Sequence, residues 1–420
     1  MTGAPSTATA FGAHGADGGA TLARGVSSRG RYEHIDALRA LAVMLVVVAH
    51  AGLGGVVPGG SGVTIFFAIS GFIITHILLT EREKTGAFSV SDFYLRRLLK
   101  LAPPFLLLIA VPTLLWAITN PLDWGAFASQ VFFTFNWVYM HGLPAVLPGS
   151  PVVWSLAIEE QFYIAFALIW LGAVLLRRHL MFLSIAAGAT IVGSLTIRIL
   201  LVSSDGALGA HRRIYYGTDT RADGIAFGIL AAVLFALSRR GRLPARVRTA
   251  VASGWAPAFA LVLYLASLVI RDEWFRETLR YTFQAAAAAA VILYGLERRD
   301  GRVREALGRV AGIRIVQVIG LASYSIYLIH LVVDVALRPL LAGWPTALAF
   351  GVSVVSGVAI GVAVWAWLER PVEAFKRRLM ARRAAARVDG PAPEPSTAAA
   401  TPGSPGHDTH SAIPATGGLL

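Results

Sequence analysis

Arg39 and His50 are the residues in this chain whose types and spacing most directly suggest chemistry. They lie eleven positions apart in the apolar run RYEHIDALRALAVMLVVVAHAGL, residues 31–53, with nothing charged between them. Eleven steps of about 100° make about three turns. A helix therefore sets both side chains on one face, about 16 Å apart along its axis. A guanidinium grips anionic groups, and an imidazole moves protons at neutral pH. Asp36 precedes Arg39 by three residues and is spaced to pair with it. Ionisable groups on a membrane helix are costly and turn toward a cavity or a partner rather than lipid. Either residue alone has a plain structural reading, with Arg39 snorkelling to a headgroup and His50 a hydrogen-bonded packing residue. Their common face weighs against it.

The elements that must hold these residues are apolar spans. Hydrophobic residues make up 56% of the 420 and charged ones 15%, with a mean hydropathy of +0.64. A soluble globular chain of this length is not composed this way. Ten segments are long enough, or nearly so, to span: 36–55, 62–80, 100–119, 152–175, 180–201, 218–238, 255–270, 281–296, 314–337 and 345–368. The expected fold is all-α, a polytopic membrane bundle of about ten helices. The aromatic stretch 124–140 is too short to span and reads as interfacial or re-entrant. Residues 1–30 read as a disordered tail, 31–375 as the membrane domain and 376–420 as a basic, then Pro/Ala-rich disordered tail.

Lys and Arg crowd residues 1–35, 81–100, 176–179, 239–248, 297–314 and 370–388. The alternate loops hold only Arg212, Arg213, Arg271, Arg276, Arg280 and Arg338. By the positive-inside rule both termini are cytoplasmic. The net charge of +13 is therefore a topology signal, and nucleic acid is not the expected partner. No cysteine is present, which excludes disulfides, a thiolate nucleophile and Cys-ligated metal. No P-loop, dinucleotide fingerprint or HExxH motif occurs, and no metal site is expected.

With this topology several polar groups fall at similar depth in the outer half. His50 comes late in an outward helix. Ser70 lies about 13 Å into an inward one. Glu159 and Glu160 sit about two turns into the fourth span and cannot both face one way. Asp219, Arg221 and Asp223 mark the outer end of the sixth, and His330 lies in the outer half of the ninth. One cavity open to the outer face would satisfy them all. For Asp219, Arg221 and Asp223 a purely structural ion-pair network, with Arg221 between the two acids, competes equally with a site. On the other side Arg96, Arg97 and Lys100 form a basic collar. Such a collar could hold phosphates, although ordinary positive-inside topology also accounts for it.

These motifs, in order, resemble acyltransferase family 3, the polytopic bacterial O-acyltransferases of surface glycans and macrolides. The matching pieces are IDALRALAVMLVVVAH, GVTIFFAISGFIIT, FYLRRLLKLAPPF, WSLAIEEQFY, TDTRADGIAFG, SYSIYLIH and WLERP, spread over about residues 31–375. Lys100 stands where the family often has Arg, leaving a point charge in place of a planar fork. Some members carry an extra extracytoplasmic esterase-like domain, and this chain resembles the form without it.

The resemblance implies transfer of an acyl group, usually acetyl, from cytoplasmic acyl-CoA to a hydroxyl of a carbohydrate or glycosylated acceptor. Acyl-CoA is then a co-substrate, with no permanently bound cofactor, and the location is the bacterial cytoplasmic membrane. Arg39 and His50 carry over as catalytic residues. Arg39, Arg96, Arg97 and Lys100 carry over as donor-binding residues. Glu160 is expected beside them in catalysis, with Glu159 or Glu160 orienting His50 or His330. Ser70, Trp154, Glu159, Asp219, Arg221, Asp223, Tyr327 and His330 are the candidate acceptor-binding groups. The alternative is a glycolipid or anion transporter or flippase, which would move substrate without consuming acyl-CoA. A receptor or scaffold with a structural polar core is a third class.

Overall fold

The structure is a computed structural model that describes residues 32–86, 89–175, 178–297 and 301–388. The tail expected at 1–30 lies outside these residues, and so does 389–420 of the tail expected at 376–420, whereas 376–388 belong to the helix Arg370–Val388 and are not disordered as expected. Among the described residues every regular element is helical. Among the described residues eight helices are long and apolar enough to cross a membrane. Two further pairs are bent, Ala245–Ala252 with Trp255–Val269 by 71° and Arg314–Leu321 with Ser323–Leu337 by 76°, which makes up to ten. All ten expected segments are accounted for. The chain divides into two compact units, residues 1–376 and 377–420. Everything below concerns the first.

The helices that shape the site are α1 (Glu33–Val48), α2 (Gly59–Thr85), α3 (Val90–Phe105), α4 (Trp124–Val131), α5 (Phe135–Tyr139), α6 (Trp154–Leu175), α7 (His179–Tyr216), α8 (Thr218–Arg239), α9 (Trp255–Val269), α10 (Leu279–Leu296), α11 (Arg314–Leu337) and α12 (Thr346–Val364). Helix α3 starts ten residues earlier than its apolar stretch suggests, because Ser89 caps it by accepting from the Asp92 amide at 3.3 Å. Arg96, Arg97 and Lys100 thus lie inside a helix and not before one. The stretch 124–140 forms two short helices, α4 and α5, neither long enough to span. Helix α7 runs on past its expected end near 201, through a break at Gly206.

In lipid there is little hydrophobic drive between helices, so close packing must come from small residues. Helix α2 crosses α8 where a Cβ on Gly71 would strike the Ile225 carbonyl and one on Gly228 the Ala68 carbonyl. Large apolar side chains fill the space between such crossings. Phe67, Ile158, Phe166 and Trp170 are completely buried.

Two local distortions bear on the site. Helix α1 widens into a π turn at Ala49–Leu53, which contains His50 and ends its regular course at Gly52, whose φ is 126°. Helix α11, which carries Ser323, Tyr327 and His330, is the one bent by 76°. π turns disturb the 3.6-residue period and recur at functional positions.

Candidate active site

A cavity of about 280 Å³ opens between α1, α2, α3, α6 and α11. Its mouth is cationic, with Arg39, Arg96, Arg97, Lys100 and Lys376 in the lining. Phe66, Ile69, Ile73, Ile74 and Leu156 supply apolar lining, with Ser70, Ser155, Glu159 and Tyr327 among the polar groups.

The cations at the mouth are not equivalent. Arg96 pairs with Glu81 at 2.8 Å. Arg97 pairs with Glu160 at 2.5 Å, lies 3.9 Å from Glu159 and stacks 3.3 Å above the Tyr163 ring. Arg39 does not reach back to Asp36 as its spacing suggested. It donates through Nε to Ser323 at 3.2 Å, across on α11. Among the described residues Arg39 has no carboxylate within ion-pair distance, and Lys100 has neither an ion pair nor a hydrogen bond. Two positive charges therefore face the cavity without a bonded counter-charge, a situation that an incoming anion relieves.

Midway along the cavity, Ser70 donates to Glu159 Oε2 at 2.8 Å and shares a second, short hydrogen bond with Tyr163. The adjacent acids are thus told apart. Glu159 lines the cavity, and Glu160 is held by Arg97. Glu160 makes no hydrogen bond to either histidine, so the expected role of a glutamate in orienting the imidazoles is not seen.

That role falls to a second histidine. His50 Nδ1 lies 2.9 Å from the Val46 carbonyl and 3.2 Å from His330 Nε2. His330 Nδ1 lies 2.8 Å from the Tyr327 carbonyl. A carbonyl only accepts, so each Nδ1 carries a hydrogen. His330 Nε2 then bears a lone pair, and the single hydrogen on His50 Nδ1 is shared between it and the nearer Val46 carbonyl. His50 Nε2 is left as an uncommitted base on an exposed ring, while His330 is 2% exposed. Gly357 makes room for this helix, since its Cβ would sit 3.3 Å from the His330 Cα. His50 does not itself line the cavity. Val48 and Ala49 keep helical dihedrals ahead of it, and Arg39 and His50 both meet α11, at Ser323 and at His330.

The sixth-span residues do not form the expected triad. Asp219 pairs with Arg213, and Asp223 pairs with Arg198 at 2.8 Å and accepts from Thr282 at 2.9 Å. Arg221 has no carboxylate partner among the described residues. It donates to Thr64 at 3.0 Å and stacks 4.1 Å over the Tyr281 ring. Successive positions two apart on α8 point about 200° apart, so each meets a different neighbour. Trp154 packs on Tyr215 and Tyr216 at 5.1 and 5.0 Å. None of Trp154, Asp219, Arg221 and Asp223 lines the cavity. They fasten α6, α7, α8 and α10 to one another.

Sequence reasoning passed over Ser155, Tyr163, Ser323 and Lys376. Ser155, Glu159 and Tyr163 follow one another at four-residue steps, a single helix face that could have been read from WSLAIEEQFY. Ser323 opens SYSIYLIH. Lys376 carried no signal. Among the described residues no three His, Asp or Glu side chains converge as a metal site.

The family described as acyltransferase domain, the one the motifs resemble, matches residues 32–367. The chain is 30% identical over 330 residues to the peptidoglycan O-acetyltransferase OatA of Listeria monocytogenes, covering 75% of this chain and 51% of that protein. It is 32% identical over 249 residues to a protein of Staphylococcus aureus strain COL provisionally named an O-acetyltransferase, covering 57% and 41%. It is 27% identical over 363 residues to the Bacillus subtilis protein YrhL, provisionally named a peptidoglycan O-acetyltransferase, covering 83% and 56%. The chain thus spans about half the length of the curated relatives it matches. No solved structure matches it. The match over nearly all of the described helices, with the cationic cavity and the histidine pair in place, makes this multi-pass membrane chain a member of the acyltransferase domain family.

Proposed function

We propose that the chain is an O-acetyltransferase of the bacterial cytoplasmic membrane, moving an acetyl group from cytoplasmic acetyl-CoA to a hydroxyl of a cell-envelope carbohydrate. The observation that carries the reading is the cavity itself. Its lining joins Arg39 and Lys100, which have no ion-pair partner among the described residues, to Tyr327, whose ring neighbours His330. The names of the relatives point to peptidoglycan as the acceptor. The distribution of Lys and Arg supports a cytoplasmic placement of the cationic mouth and of both termini.

In this scheme the CoA phosphates settle on Arg39 and Lys100, with Arg96 and Arg97 beside them. The pantetheine arm lies along Phe66, Ile69, Ile73 and Leu156, and its amides find Ser70 and Glu159. The thioester reaches Tyr327. The acceptor hydroxyl approaches His50 from the other side. His50 Nε2 takes its proton as the oxygen attacks the thioester carbon. The C–O bond forms, the C–S bond breaks, and the departing thiolate is protonated by the imidazolium. His330 steadies that imidazolium by accepting from its Nδ1–H.

The test uses membranes with matched amounts of wild-type protein and His50→Ala, supplied with labelled acetyl-CoA. Release of free CoA and label in a hydroxyl-bearing envelope fraction, by wild type alone, is the expected result. Substrate movement with no consumption of acetyl-CoA by the wild type would overturn the reading in favour of transport.

A further inference from the structure

The helix Arg302–Ala311, RVREALGRVA, takes no part in the cavity. Its 10 residues rise about 15 Å, half of what a span needs. Steps of about 100° bring Val303, Leu307 and Val310 within about 60° of one another. These three are 46%, 46% and 55% exposed, so the described residues leave the stripe uncovered. Glu305 and Arg309 lie on the polar side, 3.8 Å apart and both exposed. The remaining flank is fastened to the bundle. Arg304 folds back over the Tyr294 ring of α10 at 4.3 Å, and Ala311 is buried. Gln317 of α11 donates to the Ala311 carbonyl at 2.6 Å and to the Glu33 carbonyl at 2.9 Å, which ties the end of this helix to the start of α1.

The apolar stripe does not stop with the helix. Ile313 and Ile315, 47% and 66% exposed, carry it into α11, which belongs to a candidate span. An uncovered strip that runs on into the outer surface of a membrane helix is covered by what covers that helix, which is lipid. Charge fits the same partner. Between residues 302 and 314 stand Arg302, Arg304, Arg309 and Arg314 against Glu305 alone. Arg302 and Arg309 lie about 100–120° round from the stripe, on the flank that the bundle leaves free. With the stripe turned down into a bilayer, that flank is level with the headgroups.

We infer that the helix Arg302–Ala311 lies in the surface of the bilayer. Val303, Leu307 and Val310 sit among the acyl chains, and Arg302 and Arg309 bind anionic lipid headgroups. This lipid-binding surface stands apart from the cavity and does not depend on the identity of the acyl donor or acceptor.

The absence of cysteine from the chain allows single probes to be placed. Full-length Val303→Cys, Leu307→Cys and Glu305→Cys are labelled with bimane in nanodiscs of phosphatidylcholine mixed with phosphatidylglycerol. Phosphatidylcholine spin-labelled on its acyl chain should quench the probes at 303 and 307 at least about twofold more than the probe at 305, and aqueous acrylamide should show the reverse order. Acrylamide quenching of all three alike overturns the inference, because the stripe then lies in water. Shielding of 303 and 307 from both quenchers also overturns it, because protein, such as a second copy of the chain, then covers the stripe. The headgroup is tested on Leu307→Cys alone, with equal fractions of spin-labelled phosphatidylglycerol or phosphatidylcholine. The anionic lipid should be enriched about fivefold at low salt, and the preference should fade in about 1 M salt. Adding Arg302→Gln and Arg309→Gln should remove the preference and leave the depth unchanged. Equal quenching by the two lipids at low salt overturns the anionic assignment, whether or not the arginine variants fold.

Discussion

His330 Nε2 stands 3.2 Å from His50 Nδ1, although the two residues are 280 positions apart in sequence. The contact sets which nitrogen of His50 is free. In the proposed scheme His50→Ala removes the base and should lower turnover by about two to four orders of magnitude in protein that still folds. His330→Ala leaves that base but frees its ring to turn, so turnover should fall by less, with the KM for acetyl-CoA unchanged. Initial rates at saturating and limiting donor separate the two quantities. A His330→Ala variant that changed only the donor KM would contradict the arrangement.

The cationic mouth makes a different prediction. Arg39 and Lys100 face the cavity without ion-pair partners among the described residues. A charge-assisted hydrogen bond contributes about 1.5–3 kcal/mol. Arg39→Ala and Lys100→Ala should each raise the KM for acetyl-CoA by about tenfold or more, with little change in kcat. Lys100→Arg restores a cation and should keep the KM near that of the wild type. Two alanine variants with the wild-type KM would remove phosphate from this end of the cavity.

Asp223 and Asp219 separate fastening from substrate binding. The Arg198–Asp223 pair is buried, with side chains 0% and 1% exposed, whereas Arg213–Asp219 is 30% and 36% exposed. Asp223→Asn leaves a buried guanidinium without its counter-charge and should cost about 3–5 kcal/mol. Asp219→Asn should cost no more than about 1 kcal/mol. Thermal denaturation of the detergent-solubilised protein compares them. A stable Asp223→Asn protein with a raised acceptor KM would instead make Asp223 an acceptor ligand.

Glycine spacing at the α2–α8 crossing is checked by three single substitutions. Gly71→Ala and Gly228→Ala each drive a methyl group into a backbone carbonyl of the facing helix, and should destabilise by about 1–3 kcal/mol or more. Gly188→Ala meets nothing within 4 Å and is the control. Equal melting temperatures for all three would mean that the helices cross less closely than described.

Hydropathy alone located the eight candidate spans and two bent pairs found among the described residues, because a span long enough to cross lipid must be written as a continuous apolar stretch. The amino-acid order also determined that Arg39 and His50 share one helix, that Glu159 and Glu160 diverge, and that the motifs belong to an acyltransferase. These are properties of a single element or of a pattern along the chain. Tertiary structure decided which faces meet. Arg97 takes Glu160 from α6, His50 takes His330 from α11, and Asp223 takes Arg198 from α7 in place of its near neighbour Arg221. Helical periodicity sets the angle between residues on one helix, but it is silent on the rotation of one helix against the next. The π turn at Ala49–Leu53 was equally out of reach, since its wider hydrogen-bond step leaves no mark in hydropathy.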